Sequence, residues 1–277
     1  MVVTSRTQIQ RTEVSPSYWQ VTFDNPPINL MDIDTVEQLA ALVDDIESAP
    51  ALTVVTFSSA NPDFFMAHWD FTADKARTRA LPGGPSGLHP FLDNLVRLAK
   101  APVVSITALR GRARGAGSEF ALATDIRFAS DTTILGQFEI GVGAVPGGGA
   151  MARLARLVGR GRAMEIVLGG EDIAATRAAD YGYVNRVVAD HDLDGVVDAF
   201  ARRVASFDKD AVTMIKHLVN GPTLPAEDEL VDGMKAFFTS TGKPENAARI
   251  KPLWDDGLQQ ATGVERDLGD HLVRPVG

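Results

Sequence analysis

The sequence predicts an α/β fold followed by a helical C-terminal region, and three observations carry that expectation. Short β-branched runs alternate with amphipathic helical segments through the first two thirds of the chain, as in layered α/β cores. After Val188 the strand signal fades and helical periodicity dominates. With 45% hydrophobic and 23% charged residues over 277 positions, the composition is that of an ordinary globular protein of one or two domains.

Each element follows from its local pattern. Thr7 to Val14 and Tyr18 to Phe23 flank the turn signal Ser15-Pro16-Ser17 and read as a β-hairpin. Asp34 to Ser48 places Val36, Leu39, Leu42, Val43 and Ile46 at helical spacing with an Asp cap at its start. Leu52 to Phe57 and Pro102 to Leu109 are strand-like, and Phe91, Leu92, Leu95, Val96 and Leu98 give a helix between them. Ala73 to His89, rich in small, charged, Pro and Gly residues, reads as a mobile surface loop flanking a site. Leu193 to Ala205, Ala211 to Val219, Glu227 to Phe238 and the segment from Asn246 onward carry helical spacing, and no internal repeat is present.

Composition excludes several classes of function. The 27 basic against 36 acidic residues leave a net charge of −9, which disfavours nucleic acid and anionic membranes as partners. Without cysteine there is no disulfide, thiolate metal site, iron–sulfur cluster or Cys nucleophile. Met1 to Val14 lacks the apolar core of a signal peptide, and no apolar run reaches the ~18 residues of a spanning helix, so a cytoplasmic protein is expected. The histidines His68, His89, His191, His217 and His271 form no i, i+4 pair, so no metal is expected.

The chemistry-bearing motif is the glycine-rich stretch Gly111-Arg112-Ala113-Arg114-Gly115-Ala116-Gly117-Ser118-Glu119. It lacks the Lys of a phosphate-binding Walker loop, and Phe120 stands where a dinucleotide fingerprint wants its third Gly. An acidic residue about 20 positions further on keeps the nucleotide-binding alternative open. Ser118 has no base and no nucleophile elbow around it, and reads as a small turn residue. The stretch ends on Glu119, and a second carboxylate, Glu139, follows in Gly136-Gln137-Phe138-Glu139 before the run Pro146-Gly147-Gly148-Gly149. Two glutamates would ordinarily be surface residues. Here both have apolar neighbours, and a buried carboxylate needs a partner or a task.

These residues resemble the enoyl-CoA hydratase/isomerase (crotonase) superfamily. The likeness rests on Asp24-Asn25-Pro26-Pro27-Ile28-Asn29-Leu30, Phe65-Met66-Ala67-His68-Trp69-Asp70, Gly111 through Glu119 to Asp125, and Gly136 through Gly149, in order, and covers roughly residues 7 to 240. It implies a spiral of ββα units in residues 1–200 holding a CoA-thioester site, with a helical trimerisation region in 201–277. It further implies an acyl-CoA substrate, coenzyme A as part of that substrate with no other cofactor, a homotrimer or dimer of trimers, and a place in fatty acid metabolism.

Carried over residue by residue, the family's two oxyanion-hole donors fall on the backbone N–H groups of Trp69 and Ala116. Its two hydratase glutamates fall on Glu119, expected as base, and Glu139, expected as acid. Ile28, Ala67, His68, Asp70 and Gly115 fall on substrate-binding positions. The family's usual Gly before the first donor is His68 here, and the donor itself is Trp69. They are expected to fill a different pocket wall, with acid–base work by the imidazole as the other reading. Arg110, Arg112 and Arg114 read as a solvated or inter-subunit face, or as phosphate contacts, and Phe65, Met66, Phe237 and Phe238 as packing residues. The resemblance implies a hydro-lyase. Isomerisation, decarboxylation and thioester hydrolysis remain open, as does a non-catalytic nucleotide-binding homologue.

Overall fold

The computed structural model describes residues 7–272. The first six residues of the segment read for a signal peptide, and the last five of the C-terminal region, lie outside the described residues. The chain opens with the expected hairpin, β1 (Ile9–Ser15) and β2 (Tyr18–Phe23), paired antiparallel. Helix α1 (Ile33–Ser48) follows, started by Asp32, whose side chain accepts from the Thr35 N–H in a capping box.

Three ββα turns then build the core. The first is β3 (Val54–Ser59), β4 (Phe64–Met66), a short helix α2 (Lys75–Arg79) and α3 (Pro90–Lys100). The second is β5 (Val104–Leu109), β6 (Arg112–Arg114) and α4 (Ala116–Ala123), and the third is β7 (Ile126–Ser130), β8 (Ile134–Gly136), a 3-10 turn at Glu139–Val142 and α5 (Ala150–Leu157). In each turn the first strand joins a six-stranded sheet of order β1-β2-β3-β5-β7-β10, and the second joins a four-stranded sheet of order β4-β6-β8-β9. The remaining elements are α6 (Arg160–Gly169), β9 (Ile173–Ala174), α7 (Ala175–Tyr181), β10 (Arg186–Val188), α8 (Leu193–Ala205), α9 (Lys209–Thr223), α10 (Glu227–Thr241) and α11 (Glu245–Asp255). Strands β4, β6 and β8 run parallel and adjacent, so the segments that follow them emerge at one end of one sheet. Carboxyl ends of parallel strands are where α/β folds hold ligands.

Between the sheets lies a cluster of phenylalanines. Phe120 on α4 meets Phe23 and Phe57 edge-on, each at 5.1 Å between ring centroids, and lies 6.2 Å from Phe65. Removing such a ring leaves a cavity that rigid strands on both sides cannot fill. Phe120→Ala is expected to cost about 3–5 kcal/mol in urea unfolding; a loss below about 1 kcal/mol would show that the two sheets are not held together here.

Two expectations change. Helix α8 packs Leu193, Val197 and Ala201 against Tyr18, Val54, Ile106 and Phe128 of the large sheet. A boundary at residue 200 therefore cuts a helix that belongs to the core, because its apolar stripe has no other face to bury. The Ala73–His89 segment is not structureless: the Asp74 carboxylate accepts from the Ala76 and Arg77 N–H groups and starts α2. The stretch beyond Pro244, where the resemblance thins, is integral, since Leu253, Leu258, Val264 and Leu268 pack onto Phe138, Val142 and Ala144 beside the 3-10 turn.

Candidate active site

Residues after β4 (His68, Trp69), after β6 (Gly115, Ala116, Glu119) and after β8 (Phe138, Glu139) line one cavity of about 130 Å³. The topology of three adjacent parallel strands thus gathers residues far apart in sequence. Phe91 from α3, and Phe237 and Phe238 from α10, complete an aromatic wall.

Glu119 lies in the first turn of α4, with its residue only 3% exposed. Its Oε1 accepts from the Gly148 N–H at 2.6 Å and the Ala150 N–H at 3.3 Å, at the start of α5. The glycine run is needed for this approach: a Cβ on Gly148 would stand 2.6 Å from Glu119 Oε2 and from the Phe91 ring. Burial drives the carboxyl upward, while the two amides and the nearby Arg153 guanidinium restrain it, leaving it at about 7. Glu139 is restrained only by its own backbone N–H. Its Oε2 is buried without a hydrogen-bond partner among the described residues, and burial together with the charge of Glu119 pushes it well above the ordinary carboxyl range. Above about pH 7 the arrangement holds one carboxylate, Glu119, and one carboxylic acid, Glu139, facing the same space.

The sign for stability follows from linkage. Both carboxyls keep protons in the folded chain at pH values where the unfolded chain has released them, so their contribution declines as pH rises from the ordinary carboxyl range through about 7. Glu139→Gln removes one of these sites. Its Tm is expected to exceed the parent's at pH 8 and to match it near pH 4; an equal Tm at pH 8 would show that Glu139 ionises normally.

Both candidate donor amides are free of protein acceptors among the described residues. Met31 N–H donates to the His68 carbonyl at 2.8 Å, and Asp70 N–H donates to the Met31 carbonyl at 2.8 Å. In a trans peptide N–H and C=O point oppositely, so fixing the His68 carbonyl on Met31 directs the Trp69 N–H away from that strand. Ala116 is the first residue of α4, where helix N–H groups lack intrahelical partners. Gly115 before it has φ 47°, and a Cβ there would lie 2.9 Å from Glu139 Oε1 and 3.0 Å from the Phe138 ring.

His68 stands in the cavity wall. Its Nδ1 lies 2.7 Å from the Trp69 carbonyl oxygen and its Nε2 2.7 Å from Glu265 Oε1. With both nitrogens engaged in a fully buried position, the ring forms wall and clamp and has no free nitrogen for acid–base work. Asp70 stands at the rim, accepting from Gln259 Nε2 at 2.7 Å. Ile28 and Ala67 are not part of the cavity lining: they pack with Phe64 behind the loop, where the Ala67 N–H donates to the Ile28 carbonyl at 3.1 Å.

The arginines depart from a solvated face because each has a partner within the chain. Arg110 pairs with Asp190 and Asp194, and Arg112 donates to the Arg266 carbonyl. Arg114, wholly buried, forms a two-pronged pair with Asp172 at 2.6 Å. Phe237 and Phe238 do more than pack, since both reach the cavity, and Ser118 bonds Tyr183. Glu265 escaped the sequence reading altogether: a lone carboxylate in a 3-10 turn carries no motif. Among the described residues no group of three or more histidines and carboxylates is placed to hold a metal.

The ββα turns thus gather two desolvated glutamates and two free amides around one cavity, and comparison with known proteins gives the class of the fold. The sequence model of the family described as enoyl-CoA hydratase/isomerase matches residues 13–255. The short-chain-enoyl-CoA hydratase of Clostridium acetobutylicum is 32% identical over 205 residues, 72% of this chain and 76% of that one. The crystal structure of a candidate enoyl-CoA hydratase from Streptomyces avermitilis superposes with a TM-score of 0.91 at 40% identity, covering 98% of each chain. An enoyl-CoA hydratase structure from Mycobacterium avium subsp. paratuberculosis shares the fold, with a TM-score of 0.77 at 23% identity over 91% of this chain and 97% of that one. The chain belongs to the enoyl-CoA hydratase/isomerase family, as the four sequence segments had indicated.

Proposed function

We propose that the protein is an enoyl-CoA hydratase, adding water across the α,β double bond of an acyl-CoA thioester with no cofactor beyond the coenzyme A of the substrate. The observation that carries this reading is the division of labour between the two glutamates. Glu119, restrained by two amides and available as a carboxylate, takes a proton from water as its oxygen attacks the β-carbon. The electron pair of the double bond moves toward the thioester, and the enolate oxygen is held by the N–H groups of Trp69 and Ala116. Glu139, retained in its protonated form, delivers its proton to the α-carbon, so one water is added and no redox change occurs. Proton exchange with solvent between the carboxyls restores the starting state.

The cavity of about 130 Å³ with aromatic walls suits a short enoyl group, the aryl case being left to the test. Assembly as a homotrimer or a dimer of trimers, a place in fatty acid metabolism and a cytoplasmic location belong to the same reading. Among the described residues no helix is long and apolar enough to cross a membrane. The test is incubation with crotonyl-CoA and an aryl enoyl-CoA followed by mass analysis. A product heavier by one water supports hydration, whereas an isomeric, decarboxylated or hydrolysed product assigns one of the family's other enolate reactions.

A further inference from the structure

We propose that His68 is a positioning residue for the first donor amide, its ring cross-linking the Trp69 carbonyl to Glu265 so that the donor loop and the C-terminal segment move as one body. The inference rests on the reading of the Trp69 N–H as an oxyanion donor. Its basis is geometric. His68 and Glu265 are 197 residues apart, both wholly buried, and meet at 2.7 Å. The other ring nitrogen meets the Trp69 carbonyl at 2.7 Å, and the ring lies 5.1 Å from Phe71 and 5.2 Å from Phe138 between centroids.

Donor and acceptor accounting fixes one proton. A carbonyl oxygen only accepts, so Nδ1 carries hydrogen. Glu265 Oε1 also accepts from the Gln259 N–H at 2.9 Å, and Arg114 donates to the Glu265 carbonyl at 2.9 Å, surroundings that favour a carboxylate. Nε2 meets Glu265 Oε1 at 2.7 Å, and the second Glu265 oxygen is buried without a hydrogen-bond partner among the described residues, so the pair is held by this one contact. Of the other charged groups nearby, Arg114 pairs with Asp172 and Asp70 takes Gln259 Nε2, while Glu139 stands beside His68 at Gly115, where an added Cβ would lie 2.9 Å from Glu139 Oε1 and 3.5 Å from His68 Cβ.

The consequence is a loop fixed at two successive peptides. Met31 holds the His68 carbonyl, and the His68 ring holds the Trp69 carbonyl, with the Trp69 N–H between them. Misplacement of a donor by about 1 Å is enough to cost on the order of 100-fold in rate. Because the clamp acts on the donor rather than on the coenzyme, its loss affects kcat more than KM.

The experiment compares Glu265→Gln, Glu265→Ala and His68→Asn in the full-length protein, with ¹⁵N NMR of the parent's histidine rings. Glu265→Gln keeps an acceptor without charge, and His68→Asn keeps a donor for the Trp69 carbonyl without reach to Glu265. The expected order of kcat is parent, Glu265→Gln, Glu265→Ala, falling by roughly 10- to 100-fold in total, with KM changed less than about threefold and His68→Asn near Glu265→Ala. The His68 Nδ1, bonded to the Trp69 carbonyl, is expected to carry hydrogen. Lower Tm with unchanged kcat per folded site would overturn the proposal, as would a His68 Nδ1 that carries no hydrogen. Should Glu265→Ala not fold, Glu265→Gln carries the comparison, and a parental kcat in it is the overturning result. A parent that hydrates no enoyl-CoA defeats the functional reading instead, and the NMR result then still decides whether the clamp exists.

Discussion

Ala116→Pro is expected to lower kcat about 10²- to 10³-fold while leaving the fold intact. Ala116 is the first residue of α4, a position where proline is tolerated because its missing N–H would have no intrahelical partner. The helix therefore survives, and the change replaces the amide hydrogen by the proline ring carbon, which both removes the donor and occupies its place at the cavity wall. If that hydrogen stabilises an enolate oxygen, the loss is that of one oxyanion donor, about 3–4 kcal/mol of barrier. The control is Ala116→Ser, which keeps the N–H and is expected to retain most activity. A Pro variant that folds and turns over like the parent would remove Ala116 from the oxyanion hole.

Glu119→Gln and Glu139→Gln are each expected to lower kcat by about 10³-fold, and the double variant by little more than either single one. Each amide keeps the shape of the carboxyl while removing its ability to exchange protons, and water activation and α-carbon protonation are coupled parts of one addition. The two differ in pH response. In the parent, activity rises as Glu119 ionises, which places the acid limb of kcat/KM at about 7, and falls at higher pH as Glu139 loses its proton. An acid limb in the ordinary carboxyl range would mean that Glu119 is better solvated than its buried setting implies. The two amides from Gly148 and Ala150 keep this limb from lying higher still, so Gly148→Ala, whose Cβ would collide with Glu119 and Phe91, is expected to disturb it.

Much of this site was legible before any coordinates, and the reasons differ by residue. Glu119 and Glu139 were marked by carboxylates among apolar neighbours beside glycine runs, a combination that is costly without a purpose. The hairpin, α1, α3 and the late helices followed from periodicity because each buries one continuous face. Helix α2 did not, since it is five residues held by the Asp74 cap with no apolar stripe to signal it. Arg114 was misread because alternating arginines look solvated until the fold brings Asp172, 58 residues away, against one of them. The glycines of Pro146 to Gly149 were visible, but not their use: they let two backbone amides reach Glu119. Glu265 could not be seen, because its importance arises only when a C-terminal 3-10 turn folds back onto His68.

The measurement that bears most directly on the account is the loss of conjugated enoyl-thioester absorbance across short, long and aryl enoyl-CoAs, with the parent, Glu119→Gln and Glu139→Gln run side by side. The account predicts rapid loss by the parent, strongest for a short substrate, and near abolition in both variants. A parent that binds acyl-CoA yet leaves every enoyl substrate unchanged, or variants that turn over like the parent, would contradict it.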